Sequence, residues 1–434
     1  MTTSRSGMTE PDFDVIVVGA GIAGTVAARE LAVAGHSVLV LERGAVAGAK
    51  NLSGGLLYCR EFLDIFPDFA VAAPVERVVV RHRMEYLGDA DAVALDYGSG
   101  GPAGPPNAVS VLRARLDPWL VAQCEAAGAT VLMGVRVDGL LVESGRVVGV
   151  RAGGEVLRSR VVVAADGVNS FLAEEAGLLP RREPGRLGLG VKCVVGLGSE
   201  RIEDRFQCGP GEGAAHTVVG DFTGGIRGAG FLYTNRESVS AGIVLRLDDL
   251  AASTLSSTQV LGGFLGHPSI ARLLAGGELL EYGAHLVPEG GPPELGRLVH
   301  DGLLLVGDAA GLTLNSGLTL RGMDLAAASA VSAARTISAA LLAQDTSRQG
   351  LLPYLGHLAG SDAGRDLKTF AQSPRVLGNR RFYADYGRAV ADVLGEVHRR
   401  EGPKRPIRRV LAGVRGRVRL RDLLRDAWAV WRSL

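Results

Sequence analysis

Continuous apolar runs alternate along this chain with stretches of helical spacing, and the first such alternation is the sharpest. Asp14-Val15-Ile16-Val17-Val18 is a β-branched run of strand length bounded by glycine. The alanine-rich stretch Ile22 to Val33 follows and stops at Gly35, and Ser37-Val38-Leu39-Val40-Leu41 is a second apolar run. Runs apolar at every position predict strands buried on both faces, and the stretch between them predicts a helix. Together they make one βαβ unit. After Glu42 the texture changes to a glycine-rich loop, Gly44 through Gly55.

Short strand-like runs from Val75 to Val111 are interrupted by a Gly/Pro-rich loop, and Leu116 to Ala127 predicts an amphipathic helix. Thr130 to Val137 predicts a strand. Gly139 to Glu143, Val147 to Arg151 and Val156 to Ala165 follow at short intervals, as in an antiparallel meander set into an α/β frame. Leu187 to Leu247 predicts a second β-rich region facing the substrate, and Gly302 to Val306 another buried strand. A long Ala/Ser-rich helix is predicted over Leu318 to Leu342, and from Leu351 the pattern is mostly helical and increasingly basic.

Composition narrows the function classes. The 434 residues, 47% hydrophobic and 21% charged, suffice for the cores of two or three domains and exclude extensive disorder. Lysine and arginine (47) balance aspartate and glutamate (46), so no global basic field attracts nucleic acid. Cys59, Cys124, Cys193 and Cys208 form no C-x-x-C pair, which excludes a zinc ribbon or a cysteine-ligated cluster and leaves no metal expected. A reduced, cytoplasmic chain is the simple expectation. No stretch reaches the ~18 uninterrupted apolar residues of a membrane span, so membrane association is expected at most at a surface. Val15 to Ala28 imitates a signal-peptide core, but it carries spaced glycines and lacks a basic region directly before it.

Those glycines carry chemistry. Gly19-Ala20-Gly21-Ile22-Ala23-Gly24 permits a tight turn, close approach of a pyrophosphate and close helix–strand packing. Phosphates then meet the free N–H groups and positive dipole of the helix that follows. Glu42 closes the next strand, near the spacing expected of an acid on ribose hydroxyls. Two further strand ends deliver a glycine and an acid: Val163-Ala164-Ala165-Asp166-Gly167-Val168-Asn169-Ser170 and Leu305-Val306-Gly307-Asp308-Ala309-Ala310-Gly311. Each alone reads as an Asp capping a turn. Three such ends in one chain predict convergence on one extended ligand at the carboxyl edge of a parallel sheet.

GxGxxG…E, then ADGxxS, then GDAAG, resembles the FAD fold of the glutathione-reductase type, in its branch with a single dinucleotide domain. Lys50 through Tyr58, Leu112 through Leu120, the ADGVNS segment and Gly307 through Asp324 narrow this to a group. It holds electron-transfer-flavoprotein:quinone oxidoreductases, FixC flavoproteins and geranylgeranyl reductases. The resemblance covers roughly residues 12 to 345. It implies a Rossmann-like α/β FAD-binding domain, an interleaved antiparallel β-sheet substrate domain and a helical C-terminal region. FAD would be the cofactor. Gly19, Gly21, Ile22, Ala23 and Gly24 would hold the pyrophosphate, Glu42 the adenosine ribose, and Asp308, after Gly307, the ribityl chain. Arg113 would lie along the cofactor and Arg43 near the adenosine, with Val137, Asp166 and Gly167 also in contact. Gly317, Leu318 and Thr319 would turn backbone N–H groups to the pyrimidine edge of the flavin. Lys50, Asn51, Ser53 and Gly54 would approach its ring, with Lys50 as the candidate catalytic cation or, equally, a solvated loop lysine.

Departures sharpen the reading. The family's aromatic hydroxylases carry an arginine three residues after the serine of ADGxxS, where this chain has Ala173. A second GxGxxG for NAD is lacking, which excludes pyridine-nucleotide-disulfide reductases. Without an appended iron–sulfur domain a separate ferredoxin would supply the cluster, an electron-transfer flavoprotein or that ferredoxin being the expected partner. The expected function is a FixC-like dehydrogenase exchanging electrons between FAD and a protein carrier, quinone, isoprenoid or other hydrophobic small molecule. The alternatives are a flavin-dependent tailoring oxidase or monooxygenase, and a FAD-retaining protein without activity. The eight histidines show no triad or metal spacing, and Ser53 and Ser170 lack a hydrolase setting.

The tail from Arg400 sets eleven basic residues against Glu401, Asp422 and Asp426, with Val410, Val414, Val418, Leu424, Trp428 and Trp431 at helical spacing. Such a helix either lies on an anionic membrane or packs its stripe on the protein's own core, and the second reading is favoured because Gly413 and Gly416 interrupt it. The expected segments are 1–72, 112–185 and 297–345 for the FAD domain, 73–111 and 186–296 for the substrate domain, and 346–434 for the C-terminal region.

Overall fold

Val15, Ile16 and Val17 are fully buried because the strand Phe13–Val18 lies in the middle of a parallel sheet. In the computed structural model, which describes residues 10–49, 54–100, 104–179, 183–289, 297–317, 319–398, 406, 409–410 and 419–433, Val38–Glu42 flanks it on one side and Glu155–Ala164 on the other. Thr130–Met133 and Leu303–Leu305 extend this sheet outward, all in parallel, so five carboxyl ends share one edge. Val137–Glu143 and Arg146–Ala152 join the first half of Glu155–Ala164 as the expected antiparallel meander.

Ile22–Val33 and Met323–Leu342 pack together against this sheet. Both are rich in alanine, whose small side chains let the backbones approach. Met323–Leu342 is also the one helix among the described residues long and apolar enough to cross a membrane, yet Leu325, Ala327, Ala330, Ala333 and Ile337 are fully buried in the core. It begins later than its composition predicts, because Leu314–Asn315 and Leu320–Arg321 pair as a short antiparallel ribbon.

A second sheet, nine-stranded among the described residues, runs in the order Glu278–Pro288, Leu187–Gly196, Ser238–Arg246, Gly228–Thr234, Glu212–Gly220, Val75–Leu87, Ala108–Val111 and Gly55–Tyr58. Ala92–Gly98 is added at the side of Val75–Leu87. Its pairings are antiparallel save one, the parallel contact of Glu212–Gly220 with Val75–Leu87. Strand alternation divides its faces. Val191, Cys193, Ala241 and Ile243 turn to a core closed by Ser199–Phe206 and Ser257–Gly266. Gly190 and Lys192 look the other way, toward the first sheet's carboxyl edge.

The C-terminal segments close over that opening. Arg380 donates to the Gly225 carbonyl and to Asp249, at 2.8 and 2.7 Å. Asp426, on the helix Leu420–Ser433, accepts hydrogen bonds from Asn379 Nδ2 (2.7 Å), Arg381 Nε (2.7 Å) and Tyr386 Oη (2.5 Å). These partners, the Arg381 guanidinium first, hold its carboxyl far below the usual range. The favoured reading of the tail therefore fails for this helix. Its polar Asp426 is buried, while Leu424, Trp428 and Trp431 are 62%, 57% and 74% exposed. Val414 and Val418 lie outside the described residues.

Hydrogen bonds to a charged group contribute roughly 1.5–3 kcal/mol each. Asp426→Asn is expected to speed amide hydrogen exchange in Leu420–Ser433 without affecting Phe13–Val18. Because the native carboxyl is depressed, its contribution is complete above the unfolded value and is lost only as pH falls through the native one. The wild-type helix should accordingly stay protected at pH 4. Unchanged exchange in the variant would show that Asp426 is not the anchor.

Candidate functional site

Between the carboxyl edge of the first sheet and the open face of the second runs a continuous cleft of about 850 Å³. That volume is at the upper end of the ~300–1,000 Å³ typical of ligand sites. Gly19, Gly21, Ile22, Ala23, Glu42, Arg43, Gly54, Arg113, Val137, Asp166, Gly167, Asp308, Gly317 and Thr319 all border it. Gly24 and Gly307 serve it from behind. A Cβ on Gly24 would lie 1.8 Å from the Gly19 carbonyl oxygen, and one on Gly307 2.8 Å from Ala23 Cβ. Lys50, Asn51, Ser53 and Leu318 lie outside the described residues.

Glu42 reaches across the cleft floor, accepting from the Ala20 N–H at 3.0 Å and the Gly44 N–H at 2.6 Å. Its carboxylate thus fixes the glycine loop relative to the second strand end. Arg113 is held by Asp117 through paired bonds of 2.6 and 2.8 Å and lies beside Gly21. Asp166 is turned toward the start of the helix Phe171–Glu175 that follows it: it accepts from Ser170 Oγ at 2.7 Å and the Leu172 N–H at 3.3 Å, and burial pushes its carboxyl upward.

The backbone at Gly317 and Thr319 corrects one expectation. The Gly317 N–H donates to Asn315 Oδ1 at 2.9 Å and the Thr319 N–H to Ser316 Oγ at 3.1 Å. Both groups are engaged within the turn rather than aimed outward, because polar side chains at Asn315 and Ser316 reach them first.

Residues of the second sheet escaped the sequence reading. Lys192 Nζ donates to the Gly54 carbonyl at 2.9 Å. His285 borders the same part of the cleft, its imidazole proton affinity lowered by burial. Phe231 and Tyr233 stack at 4.9 Å and 20°, and Leu377 and Tyr383 from the C-terminal region line the same cleft. Glu289 is mostly buried there, with Asn315 Nδ2 at 3.5 Å and Arg246 Nε at 3.9 Å, and its carboxyl is pushed upward by desolvation. Alternation alone identifies residues sharing a strand face, but it carries no signal of which face meets a cleft built by distant segments.

The FAD binding domain family matches residues 12–192. The chain is 47% identical over 421 residues, 96% of its length, to the probable electron transfer flavoprotein-quinone oxidoreductase YdiS of Escherichia coli K12, of which 98% is covered. It is 44% identical to the protein FixC of the same organism, over 91% of this chain and 92% of that one. The chain belongs to the FixC family. This FixC-family protein is an FAD-dependent oxidoreductase. Its fold is also that of a geranylgeranyl bacteriochlorophyll reductase-like protein from Thermoplasma acidophilum, with a TM-score of 0.72 at 20% identity over 96% of this chain and 99% of the other.

The cleft fits FAD. At Gly21 an added Cβ would meet only Arg113 Nη2, at 3.7 Å, so a pyrophosphate has unobstructed access to the backbone. The helix Ile22–Val33 has neither a side-chain cap nor an acid in its first turn, which leaves its N-terminal N–H groups to an anion. In this FixC-family protein, Glu42→Gln should raise the Kd for FAD about tenfold or more, since an acceptor for two loop N–H groups and a ribose is weakened. Fluorescence titration of the apoprotein checks this, and an unchanged Kd would remove Glu42 from the site.

Proposed function

We propose that this protein passes electrons from a protein carrier, through its FAD, to a quinone drawn from a membrane surface. The observation that carries the reading is the extension of the cleft beyond the cofactor residues into the chamber walled by Phe231, Tyr233, Leu377 and Tyr383. A stacked aromatic pair in the same cleft as Leu377 and Tyr383 suits a planar ring with a hydrophobic tail. Whole-length likeness to a relative named for electron transfer flavoprotein and quinone supports the same acceptor.

Bound FAD supplies storage for two electrons. Glu42, Asp308 and Arg113 would hold it, the Arg113 guanidinium, beside Gly21, toward its phosphates. A quinone that takes up two electrons also takes up two protons, and Glu289 is placed to give one from its carboxyl oxygen. Burial raises the pH range over which that proton is retained. Asn315 ties this carboxyl to the turn at the cofactor end of the chamber.

The helix Leu420–Ser433 supports membrane docking. It exposes Leu420, Leu424, Trp428 and Trp431 beside Arg421 and Arg425, a pairing that suits an anionic lipid surface. The four free cysteines suit a reducing, cytoplasmic setting.

Anaerobic mixing of the holoprotein with reduced electron-transfer flavoprotein or reduced ferredoxin should bleach the flavin band, and quinone in anionic vesicles should restore it. Bleaching by NADPH with oxygen uptake would replace this reading with a monooxygenase. Glu289→Gln should leave the bleaching step unchanged and slow recovery by about 10²-fold or more. Because the acid form is required, wild-type recovery should slow as pH rises through the raised carboxyl value, and the variant should lose that dependence. Trp428→Ser with Trp431→Ser should slow recovery with vesicular but not with water-soluble quinone. Wild-type recovery in both variants would separate Glu289 and the tryptophans from the acceptor.

A further inference from the structure

Lys192 is a lysine in the interior of a sheet, and the fold clears a path for it. It is paired in register with Gly242 on one neighbouring strand and with Gly283 on the other. A Cβ on Gly242 would lie 2.5 Å from Lys192 Cβ and 2.6 Å from Phe231 Cζ. Glycine at 242 thus leaves the room that the Lys192 stem and the Phe231 ring occupy on this face.

The ammonium then arrives where the two halves of the cleft meet. Arg113, which borders the cofactor half, is a charged neighbour on one side. Phe231 of the chamber stands in register beyond Gly242 on the other. Nζ donates to the carbonyl of Gly54, itself pressed so closely on the sheet that a Cβ would meet Ser240 Oγ at 1.9 Å. The groups facing it are Arg113, from the helix Arg113–Ala126, and Glu281 and His285, from Glu278–Pro288. The adjoining strand Ser238–Arg246 brings Gly242 and Ser240 to this point, neither of them charged.

We propose that Lys192 is the cation that offsets the negative charge entering the cleft with the electrons. The inference rests on the cleft being the FAD site. Two electrons that arrive with a single proton leave one uncompensated negative charge, and a fixed ammonium in a desolvated cleft favours their arrival. Burial first, and the Arg113 charge second, pull the Lys192 amine down to about 8, while Glu281 opposes them. Below that pH the ammonium is already in place. Above it, reduction draws a second proton from solvent onto Nζ, so two protons accompany the two electrons. His285 is lowered by burial and is neutral throughout this range.

The test is the midpoint potential of the FAD-loaded protein, measured by dye equilibration from pH 7 to 10. Wild type should show one proton per two electrons below about pH 8 and two above it. Lys192→Met should show one proton throughout and a lower potential at neutral pH. Lys192→Arg keeps the charge without the titration, and should show one proton throughout with a potential near that of wild type at neutral pH. His285→Gln should keep the wild-type break. A wild-type potential and break in Lys192→Met would overturn the proposal and leave Lys192 as a tie to Gly54. Should Lys192→Met not retain FAD, Lys192→Arg decides, and a persisting break there overturns the proposal equally. A wild-type protein that binds no FAD has no potential to measure, so failure of the cofactor reading is distinguished from failure of this one.

Discussion

Gly24 has no room for a side chain, and the whole site follows from that. An added Cβ would lie 1.8 Å from the Gly19 carbonyl, while one on Gly19 would lie 2.4 Å from the Ala165 carbonyl. The helix Ile22–Val33 is thereby pressed onto the loop that starts it, and that loop onto the strand end carrying Asp166. Gly307, packed on Ala23, brings in the third strand end. Interiors packed at crystal density transmit such contacts without slack. These close approaches together set the spacing between Glu42, Asp166 and Asp308, the acids at the three strand ends that border the cleft.

The two sheets divide the work. The first supplies strand ends, backbone N–H groups and fixed acids, a rigid seat suited to a charged and extended cofactor. The second offers a face rather than an edge, where small residues such as Gly190, Gly242 and Ala229 leave space for the few large ones, Lys192, Phe231 and Tyr233. The C-terminal region closes the chamber with Leu377 and Tyr383 and is itself held by Arg380 and Asp426. The helix that anchors this roof also exposes Trp428 and Trp431.

What could be read from the sequence was local. Gly19, Gly21, Gly24 and Glu42 fall within one βαβ unit, and Asp308 follows a strand too apolar to mistake, so their neighbourhood is written in adjacent residues. The helix of Met323–Leu342 was legible in composition but not at its start, because the Leu314–Asn315 and Leu320–Arg321 ribbon depends on pairing rather than propensity. Gly317 and Thr319 misled in one respect: their N–H groups meet Asn315 and Ser316, a competition that spacing does not reveal. Lys192, His285 and Glu289 were invisible because their significance lies in which segments face them. Arg113 is 79 residues from Lys192 in the chain, and only the closed fold makes them neighbours. The tail failed differently. Its apolar stripe is real, but the buried face is built on Asp426, so periodicity named the helix and not its inner side.

The central claim is that three strand ends of one parallel sheet hold a single extended flavin dinucleotide. Denaturing the purified protein and identifying the released chromophore tests it most directly. The account requires one FAD per chain, lost together from a protein carrying substitutions at Glu42 and Asp308. Release of FMN instead, or a colourless protein that takes up no FAD on reconstitution, would contradict it.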